Sequence, residues 1–289
     1  MRIGVVLPMS GSDGPGRAPS WSEMRAFAIH AETIGLHSLW VYDHLLFRSP
    51  ENPDEGIHEA WTVLSALAAS TSRIELGQLV MCMSFRSPGV LAKMAVTADA
   101  ISGGRVVLGL GAGWHDPEYT AFGFPTDHRV SRFEEALRIL GPLLRGERVS
   151  FDGRYHQASD AVLLPAPERQ VPVLIAGHGP RMLRLIARHA DAWNTAWHGL
   201  PDEQLNQRMA DLHAALEAEG RDPATVRRTV GLGWDLSRPE RIGSGSADAL
   251  AGALDSYEAL GVDDVIVSLQ PADEPGLERI HRALEIRDR

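Results

Sequence analysis

Residues 86–115 constrain the fold of this chain more than any other segment. Apolar residues recur at helical spacing over 91–101, a Ser-Gly-Gly turn follows at 102–104, and 106–110 is a largely unbroken apolar run. Such a run is typical of a strand that is covered on both faces, as in a parallel sheet. The glycines at its end, Gly109, Gly111 and Gly113, predict a place where a flat or anionic group approaches bare backbone. The segment therefore indicates a helix, a buried strand and a cofactor-binding strand exit.

The same alternation of β-rich and amphipathic helical segments covers the whole chain. The predicted strands are 3–8, 38–42, 74–82, 105–110, 172–176, 190–194, 227–234 and 263–269. The predicted helices are 20–34, 59–70, 88–101, 128–145, 180–188, 202–219, 246–260 and 275–287. About eight β-α repeats in 289 residues favour an α/β chain folded as a (β/α)8 TIM barrel, one domain over 1–289, rather than a doubly wound sheet. Residues 147–168 interrupt this alternation of strands and helices. A turn at 151–155 predicts a hairpin-like excursion before strand five.

Helix ends carry recognisable signals in this sequence. Ser20 and Glu23 have the spacing of a capping box at the start of the first helix. Gly35, Gly220 and Gly261 stand where glycine residues end helices. These signals support the predicted boundaries.

Composition excludes several classes of function. The formal net charge of −10 argues against binding to nucleic acid or anionic lipid, and no apolar run approaches the roughly 18 residues that span a bilayer. The amino terminus has no basic segment followed by an apolar core, so we expect a cytoplasmic protein. Cys82 is the only cysteine, which excludes internal disulfides and cysteine-based zinc sites. Lys93 is the only lysine, and its position inside a predicted helix disfavours Schiff-base chemistry.

In a TIM barrel the active site lies at the carboxyl ends of the strands. The residues there are rich in glycine, histidine and tryptophan, and they lack the several carboxylates that a divalent metal or a glycosidase needs. Strand one also lacks the His-x-His pair of metal-dependent barrel hydrolases, so no metal is predicted. The candidates after strands two to seven are Asp43, His44, Met81, Cys82, Met83, Ser84, Phe85, Ala112, Gly113, Trp114, His115, Asp116, Gly177, His178, Gly179, Pro180, Arg181, Asn194, Thr195, Trp197, His198, Trp234 and Asp235.

His44 is the first candidate for proton transfer, because it follows a fully apolar strand and histidine titrates near neutral pH. The alternative is a surface cap. Asp43 either orients His44 or hydrogen-bonds the loop, and His115 is the second candidate for proton transfer. Trp114 and Trp197 are interpreted as pocket walls.

Two glycine-rich turns suggest phosphate chemistry. Residues 109–113 invite a dinucleotide-binding interpretation, but the third glycine position holds Trp114 and the motif follows the fourth strand instead of the first. The turn after strand five fits better, because it enters a helix whose first backbone N–H groups are free to hold a phosphate. Its residues are Gly177, His178, Gly179, Pro180 and Arg181. The alternative is a tight β-α turn without a ligand.

Taken in order, these segments resemble the luciferase-like family of flavin and deazaflavin monooxygenases and reductases. The matching motifs are IGVVLP, HSLWVYDHL, HEAWTVLSALAASTSRIELG, RSPGVLAKMAVTADAISGGRVVLGLGAGWHDPEY, RFEEALRIL, FDGRYHQ, PVLIAGHGPRMLRLIARHADAWN and GVDDVIV. Each motif alone is moderately specific, whereas their order and spacing are highly specific and cover nearly the whole chain.

The resemblance implies a barrel that binds an isoalloxazine or deazaflavin ring at its carboxyl mouth. A cis peptide without proline on strand three backs the ring in family members, and the strand-four exit flanks the ring or its ribityl chain. The turn after strand five faces the phosphate. The positions so implied to contact the cofactor are Leu79, Val80, Ala112, Gly113, Trp114, Gly177, His178, Gly179 and Arg181.

Within the family, the Asp43-His44 pair and the compact chain favour coenzyme F420, the deazaflavin, over FMN, which stays open. The expected function is hydride transfer between F420 and a small, fairly apolar organic substrate. The sugar-phosphate dehydrogenases of the family carry glutamate where this chain has Trp114, and they grip the phosphate with lysines that Lys93 cannot supply. The alternatives are an FMN-dependent monooxygenase and a non-catalytic barrel or carrier partner. A homodimer is expected, since homodimers are common in the family.

Overall fold

The computed structural model describes residues 1–14, 16–49, 52–235 and 245–289. Eight parallel strands in this part of the chain close into a barrel, because β5 pairs with β4 on one side and with β6 on the other. The strands are β1 Arg2–Val6, β2 Ser38–Val41, β3 Glu75–Gln78, β4 Val106–Gly111, β5 Val173–Ala176, β6 Ala192–His198, β7 Arg227–Asp235 and β8 Asp264–Gln270. The predicted TIM barrel is confirmed, and each predicted strand overlaps one of the eight.

Nine α-helices lie within the described residues, and eight of them overlap the predicted ones. They are α1 Trp21–Thr33, α2 Ala60–Ser70, α3 Pro88–Ser102, α4 Asp116–Phe122, α5 Arg129–Leu144, α6 Pro180–His189, α7 Glu203–Ala218, α8 Ala247–Ala259 and α9 Glu274–Arg287. The Ser20–Glu23 capping box is formed at the start of α1. Gly35, Gly220 and Gly261 adopt φ angles of 84°, 66° and 82°, the left-handed region in which glycine ends helices without a steric cost. None of the described helices combines the length and the apolar character needed to cross a bilayer.

Within the described residues, two β-hairpins leave the barrel. The predicted excursion is present, since Val149–Asp152 pairs antiparallel with Gln157–Ala161. Its turn is held by Glu135 of α5, whose carboxylate accepts the backbone N–H groups of residues 154–156. The second hairpin, Leu46–Ser49 with Asn52–Gly56, and the short helix α4 were not predicted. Both stand beside the carboxyl end of the barrel and shape its mouth.

The inside of the barrel is filled in two layers. The middle is apolar, and its fully buried side chains are Val6, Trp40, Val107, Leu174, Ala192 and Ile266. Below it, at the amino end, Arg2 lies 2.9 Å from Glu75 and 3.2 Å from Asp264, and Arg227 lies 3.7 and 3.5 Å from the same two carboxylates. This plug of four charged side chains closes the end opposite the mouth.

Strand β3 bulges inward at Leu79 and Val80 before it resumes pairing with β4 at Met81–Cys82. The Leu79–Val80 peptide is cis, as the family resemblance implied. Glycines in β4 make room for the bulge: a Cβ at Gly109 would lie 1.7 Å from the Gln78 carbonyl oxygen, and one at Gly111 would lie 2.6 Å from Val80 Cγ2. The Gln78 side chain also fills a gap in the pairing, since its Oε1 accepts the Gly109 N–H at 3.0 Å.

The prediction that the β4 glycines expose bare backbone to a ligand was therefore wrong for Gly109 and Gly111. Protein atoms of the neighbouring strand occupy that space. At Gly113 a Cβ would meet Tyr119 Oη at 1.8 Å and Cys82 Sγ at 2.6 Å, and the residue has a φ of 82°. All three glycines are required by packing within the chain, although Gly113 also lines the mouth.

Candidate active site

A cavity of about 300 Å³ opens at the carboxyl end of the barrel. Its lining residues are Val6, Asp13, Tyr42, Asp43, His44, Phe47, Leu79, Val80, Cys82, Gly113, Trp114, Glu118, Trp197 and Ser268. Eight of the residues predicted for the site thus meet here, from the ends of four different strands: Asp43, His44, Leu79, Val80, Cys82, Gly113, Trp114 and Trp197. We refer to this cavity as the mouth. A slightly larger cavity of about 380 Å³ lies between the β1 loop, α1 and α9, away from these residues.

His44 is held by an acidic residue that sequence reasoning missed. Its Nδ1 lies 2.9 Å from Oε1 of Glu118, and the side chains of the two residues are 14% and 2% exposed. The imidazole packs tilted against Phe47, with ring centroids 4.5 Å apart, and edge-on to Trp114 at 5.5 Å. Glu118 lies three residues after His115, in α4. The sequence signal that could have identified it is an acidic residue in the first turn of a helix that has proline near its start.

Asp43 forms its hydrogen bonds with Cys82 and Arg86 and not with His44. Its Oδ2 accepts the Cys82 N–H at 2.9 Å. Both carboxylate oxygens also accept hydrogen bonds from the guanidinium of Arg86, at 2.6 and 3.0 Å. Arg86 in turn reaches Glu59 at 2.5 Å. Burial raises the pKa of Asp43, and the guanidinium of Arg86 opposes that rise. These contacts support the second of the two alternatives, in which Asp43 hydrogen-bonds the loop. The residue that contacts His44 in its place is Glu118.

His115 anchors the hairpin beside the mouth. Its Nε2 accepts the backbone N–H of Arg48 at 3.2 Å, which requires that nitrogen to be unprotonated. Burial lowers the pKa of His115, in agreement with a neutral ring. The ring packs near Phe47 and Trp114, but it is not among the residues that line the mouth. These contacts indicate that His115 supports the strand Leu46–Ser49. A catalytic role for His115 stays a prediction.

The walls of the mouth are aromatic. Trp114 and Trp197 are 66% and 51% exposed, which is unusual for tryptophan and gives the rim two large apolar surfaces. Ala112, predicted beside the cofactor, accepts a hydrogen bond from Tyr119 Oη through its carbonyl oxygen, at 3.1 Å.

Strand β6 extends to His198, beyond the predicted end at residue 194. Its register with β7 shifts between Thr195 and His198, and the Ala196–Trp197 peptide is cis.

Asp13 is the centre of a group of hydrogen bonds in the mouth. Tyr42 donates a short hydrogen bond to Asp13, whose Oδ2 also accepts the backbone N–H groups of Met9 and Ser10 at 2.8 and 2.9 Å. Burial and the neighbouring Asp13 raise the pKa of Tyr42, so its hydroxyl keeps its proton. Burial likewise raises the pKa of the Cys82 thiol to about 11, so the thiol keeps its proton at neutral pH and is a poor nucleophile.

The predicted phosphate turn stands at the start of α6, outside the lining of the mouth. Pro180 occupies the first turn, Gly179 is the N-cap, and no side chain caps the free N–H groups. A Cβ at Gly179 would meet nothing within 4 Å, so the approach to this helix end is open. Arg181, predicted to assist there, instead places its guanidinium on Glu134 at 2.6 Å and Ser131 at 3.0 Å. Its prediction as a phosphate ligand is therefore not supported by its side-chain contacts.

His178, the remaining residue of that turn, is exposed, and Gly177 accepts the Trp193 indole N–H at 2.7 Å through its carbonyl oxygen. Gly177 has a φ of 154°, and a Cβ there would lie 3.0 Å from Met182. Contact of these residues with a phosphate stays a prediction. In the described part of the chain no cluster of three or more His, Cys, Asp or Glu side chains is arranged to hold a metal ion.

Comparison with known proteins gives a consistent result. Residues 1–234 match the family model described as luciferase-like monooxygenase. An F420-dependent glucose-6-phosphate dehydrogenase of Kineococcus radiotolerans is 32% identical over 260 residues, which cover 88% of this chain and 76% of that relative. An F420-dependent hydroxymycolic acid dehydrogenase of Mycobacterium tuberculosis is 29% identical over 293 residues, covering 93% and 79%. These matches confirm the resemblance drawn from the sequence motifs.

Among solved structures, an F420-dependent secondary alcohol dehydrogenase in complex with an F420-acetone adduct has a TM-score of 0.84 to this chain. The match covers 99% of this chain and 98% of the other, at 18% identity. At that level of identity the likeness concerns the fold alone, and it agrees with the closed barrel described above.

Proposed function

The chain belongs to the luciferase-like monooxygenase family, and from this premise we propose a function for it. It is an oxidoreductase that uses coenzyme F420 and transfers a hydride between the deazaflavin and a small, fairly apolar organic substrate. The observation that carries the proposal is the mouth itself, where Leu79 and Val80 form an apolar floor beneath two exposed tryptophans and one carboxylate-bound histidine. Relatives named as F420-dependent dehydrogenases support the choice of cofactor.

The residues present suit a flat ring with a phosphate-bearing side chain. The floor of the mouth presents the side chains of Leu79 and Val80, and Trp114 and Trp197 stand above it as aromatic surfaces on which a ring can stack. The open start of α6 provides free N–H groups and the positive end of a helix dipole, which together favour a phosphate. In this arrangement the ring would be held by Leu79, Val80, Gly113 and Trp114. The phosphate would be held by Gly177–Gly179.

When bound, the deazaflavin supplies the hydride-carrying carbon, C5, and the chain supplies position and a proton site. The walls of the mouth orient the substrate over the floor, and holding the reacting atoms about 3–3.5 Å apart contributes much of the rate. His44 gives or takes the proton of the substrate's hydroxyl or carbonyl oxygen, since its Nε2 has no hydrogen-bond partner among the described residues and the ring lines the mouth. The imidazole ring of His44 packs against Phe47 and Trp114, and these contacts restrict its movement.

The charge of the mouth argues for an apolar substrate rather than a sugar phosphate. The lining includes Asp13, Asp43 and Glu118 but neither lysine nor arginine, so within the described residues nothing there neutralises a phosphate dianion. The relative from Kineococcus radiotolerans bears the name of a glucose-6-phosphate dehydrogenase, and the proposal departs from that name on the strength of this charge and of Trp114. Secondary alcohols and ketones match the chemistry and the lining.

Two titrations and one panel test the proposal. Quenching of cofactor fluorescence is measured with F420 and with FMN, and we expect clearly tighter binding of F420. The protein is then assayed by F420 absorbance with secondary alcohols, ketones and glucose 6-phosphate, with turnover expected for the first two groups. Preference for FMN would support the monooxygenase alternative instead, and F420 binding without turnover on the panel would support a carrier. Faster turnover with glucose 6-phosphate than with any alcohol would refute the substrate class.

A further inference from the structure

Among the described residues, the buried carboxylate of Glu118 contacts His44, the residue proposed for proton transfer. We propose that Glu118 is a positioning residue that fixes His44 in the tautomer protonated at Nδ1, with the unprotonated Nε2 directed to the mouth. This inference rests on the proposed function only for the use that the enzyme makes of His44. The tautomer itself is a property of the free protein.

With Glu118 as a carboxylate, its two hydrogen bonds determine which nitrogen of His44 carries the ring proton. Oε2 of Glu118 accepts the backbone N–H of Leu45 at 2.8 Å, while Oε1 lies 2.9 Å from Nδ1 of His44. An ionised carboxylate can only accept, so Nδ1 must donate and Nε2 of the neutral ring must then be the acceptor. A neutral His44 in this state receives a proton from an alcohol, and the same nitrogen returns it to a carbonyl oxygen in the reverse reaction.

The surroundings keep Glu118 in place. It occupies the third position of α4, where the dipole of the helix favours a negative charge, and its own N–H donates to the His115 carbonyl at 3.2 Å. Its side chain is 2% exposed, so water does not compete for the two oxygens. One carboxylate thus holds both the ring of His44 and the backbone of the next residue, which joins α4 to the loop that leaves β2.

A protonated Glu118 is the competing arrangement. A hydroxyl at Oε1 would donate to Nδ1, and the neutral ring would then carry its proton on Nε2. The two arrangements have the same heavy-atom distances but opposite tautomers, and nitrogen NMR distinguishes them directly.

The experiment combines that measurement with Glu118→Gln. The amide keeps the shape of glutamate, and its oxygen can still accept the Leu45 N–H. Its NH2 group then faces Nδ1, which forces His44 to accept and moves the ring proton to Nε2. Two-bond 15N–1H correlations of 15N-histidine protein, with the His44 signals identified by their loss in His44→Ala, should show Nδ1–H in the wild type and Nε2–H in Glu118→Gln. We expect kcat to fall by about 10²–10⁴-fold in the variant, with KM and F420 affinity within a few fold.

Glu135→Gln is the matched control. Glu135 also accepts backbone N–H groups, at 2.7 to 3.0 Å, but it holds the turn at residues 154–156 and does not contact His44. This variant should keep both the His44 tautomer and kcat. A merely structural role for Glu118 would make Glu118→Gln as harmless to kcat as the control.

The outcomes separate this inference from the proposed function. An Nε2–H tautomer in the wild type, or a kcat for Glu118→Gln within threefold of the wild type, would overturn the role of Glu118. If no substrate of the panel reacts, the proposed function fails, and the NMR of the wild-type protein alone still decides the tautomer. That measurement also stands if the glutamine variant does not fold.

Discussion

Replacing Gly111 by alanine should destabilise the barrel through one identified contact. The new Cβ would lie 2.6 Å from Cγ2 of Val80 and 3.8 Å from its Cβ, so only the branched end of the valine is in the way. Crowding of a packed interior by one methyl group costs about 1–3 kcal/mol. Loss of the glycine's freedom in the unfolded chain offsets about 0.4–1 kcal/mol of that cost. We therefore expect Gly111→Ala to lower the free energy of unfolding by about 1–2 kcal/mol.

Val80→Ala should remove the obstruction. Alone, it deletes two methyl groups from a half-buried side chain and should cost about 1 kcal/mol. In the double variant the Cβ added at position 111 meets only the Cβ of residue 80, at 3.8 Å, which is an ordinary contact. The double variant should therefore be about as stable as Val80→Ala, which corresponds to a favourable coupling energy of about 1–2 kcal/mol.

Urea unfolding followed by circular dichroism gives the four free energies of this cycle. Gly252→Ala in α8 is the control, because a Cβ there meets nothing within 4 Å and alanine stabilises an exposed helix position by about 1 kcal/mol. Additive effects of the two substitutions, within about 0.5 kcal/mol, would refute the argument that Val80 fills the space above Gly111. Unchanged stability of Gly111→Ala would refute it more simply.

Three further predictions concern the site and the pH response. His44→Ala should lower kcat by about 10²–10⁴-fold and leave F420 affinity within a few fold, as measured by steady-state rates and fluorescence titration; unchanged kcat would remove His44 from the mechanism. Gly177→Asp should weaken F420 binding by placing a negative charge beside the proposed phosphate position, and a wild-type dissociation constant would show that the phosphate lies elsewhere. Burial, and then Arg208, lower the pKa of His198 below its ordinary 6.5, so the unfolded chain binds the extra proton first and stability should fall as the pH drops below about 6.5. His198→Gln should reduce this loss by at most about 1.4 kcal/mol per pH unit, as judged from urea midpoints at pH 7.5, 6.5 and 5.5, and an unchanged pH dependence would contradict it.

The fold was predictable because its signals are local. Apolar periodicity, the Ser20 capping box and the glycines at helix ends each act within a few residues, and together they placed eight strands and eight helices. The family motifs added the Leu79–Val80 cis peptide, which no periodicity indicates. The extension of β6 to His198 was missed because a register shift interrupts it, and the pattern of apolar residues ends before the shift.

The site was predictable in its location but only partly in its contacts. His44 was selected from its place after β2, whereas its partner Glu118 lies 74 residues away in a helix that the sequence pattern did not predict. The β4 glycines were interpreted as a ligand approach because the bulge that fills their space comes from β3, some 30 residues earlier in the chain. The two alternatives for Asp43 stayed open in the sequence, because its cationic partner, Arg86, stands 43 residues further on.

The filled interior of the barrel has a kinetic consequence. Apolar side chains and then the plug of Arg2, Arg227, Glu75 and Asp264 occupy the space below the mouth, so ligands enter and leave at one end only. A ring seated on Leu79 and Val80 lies deeper than anything stacked above it. Cofactor should therefore bind before substrate and exchange only after product has left, which gives an ordered sequence of addition in initial-rate measurements.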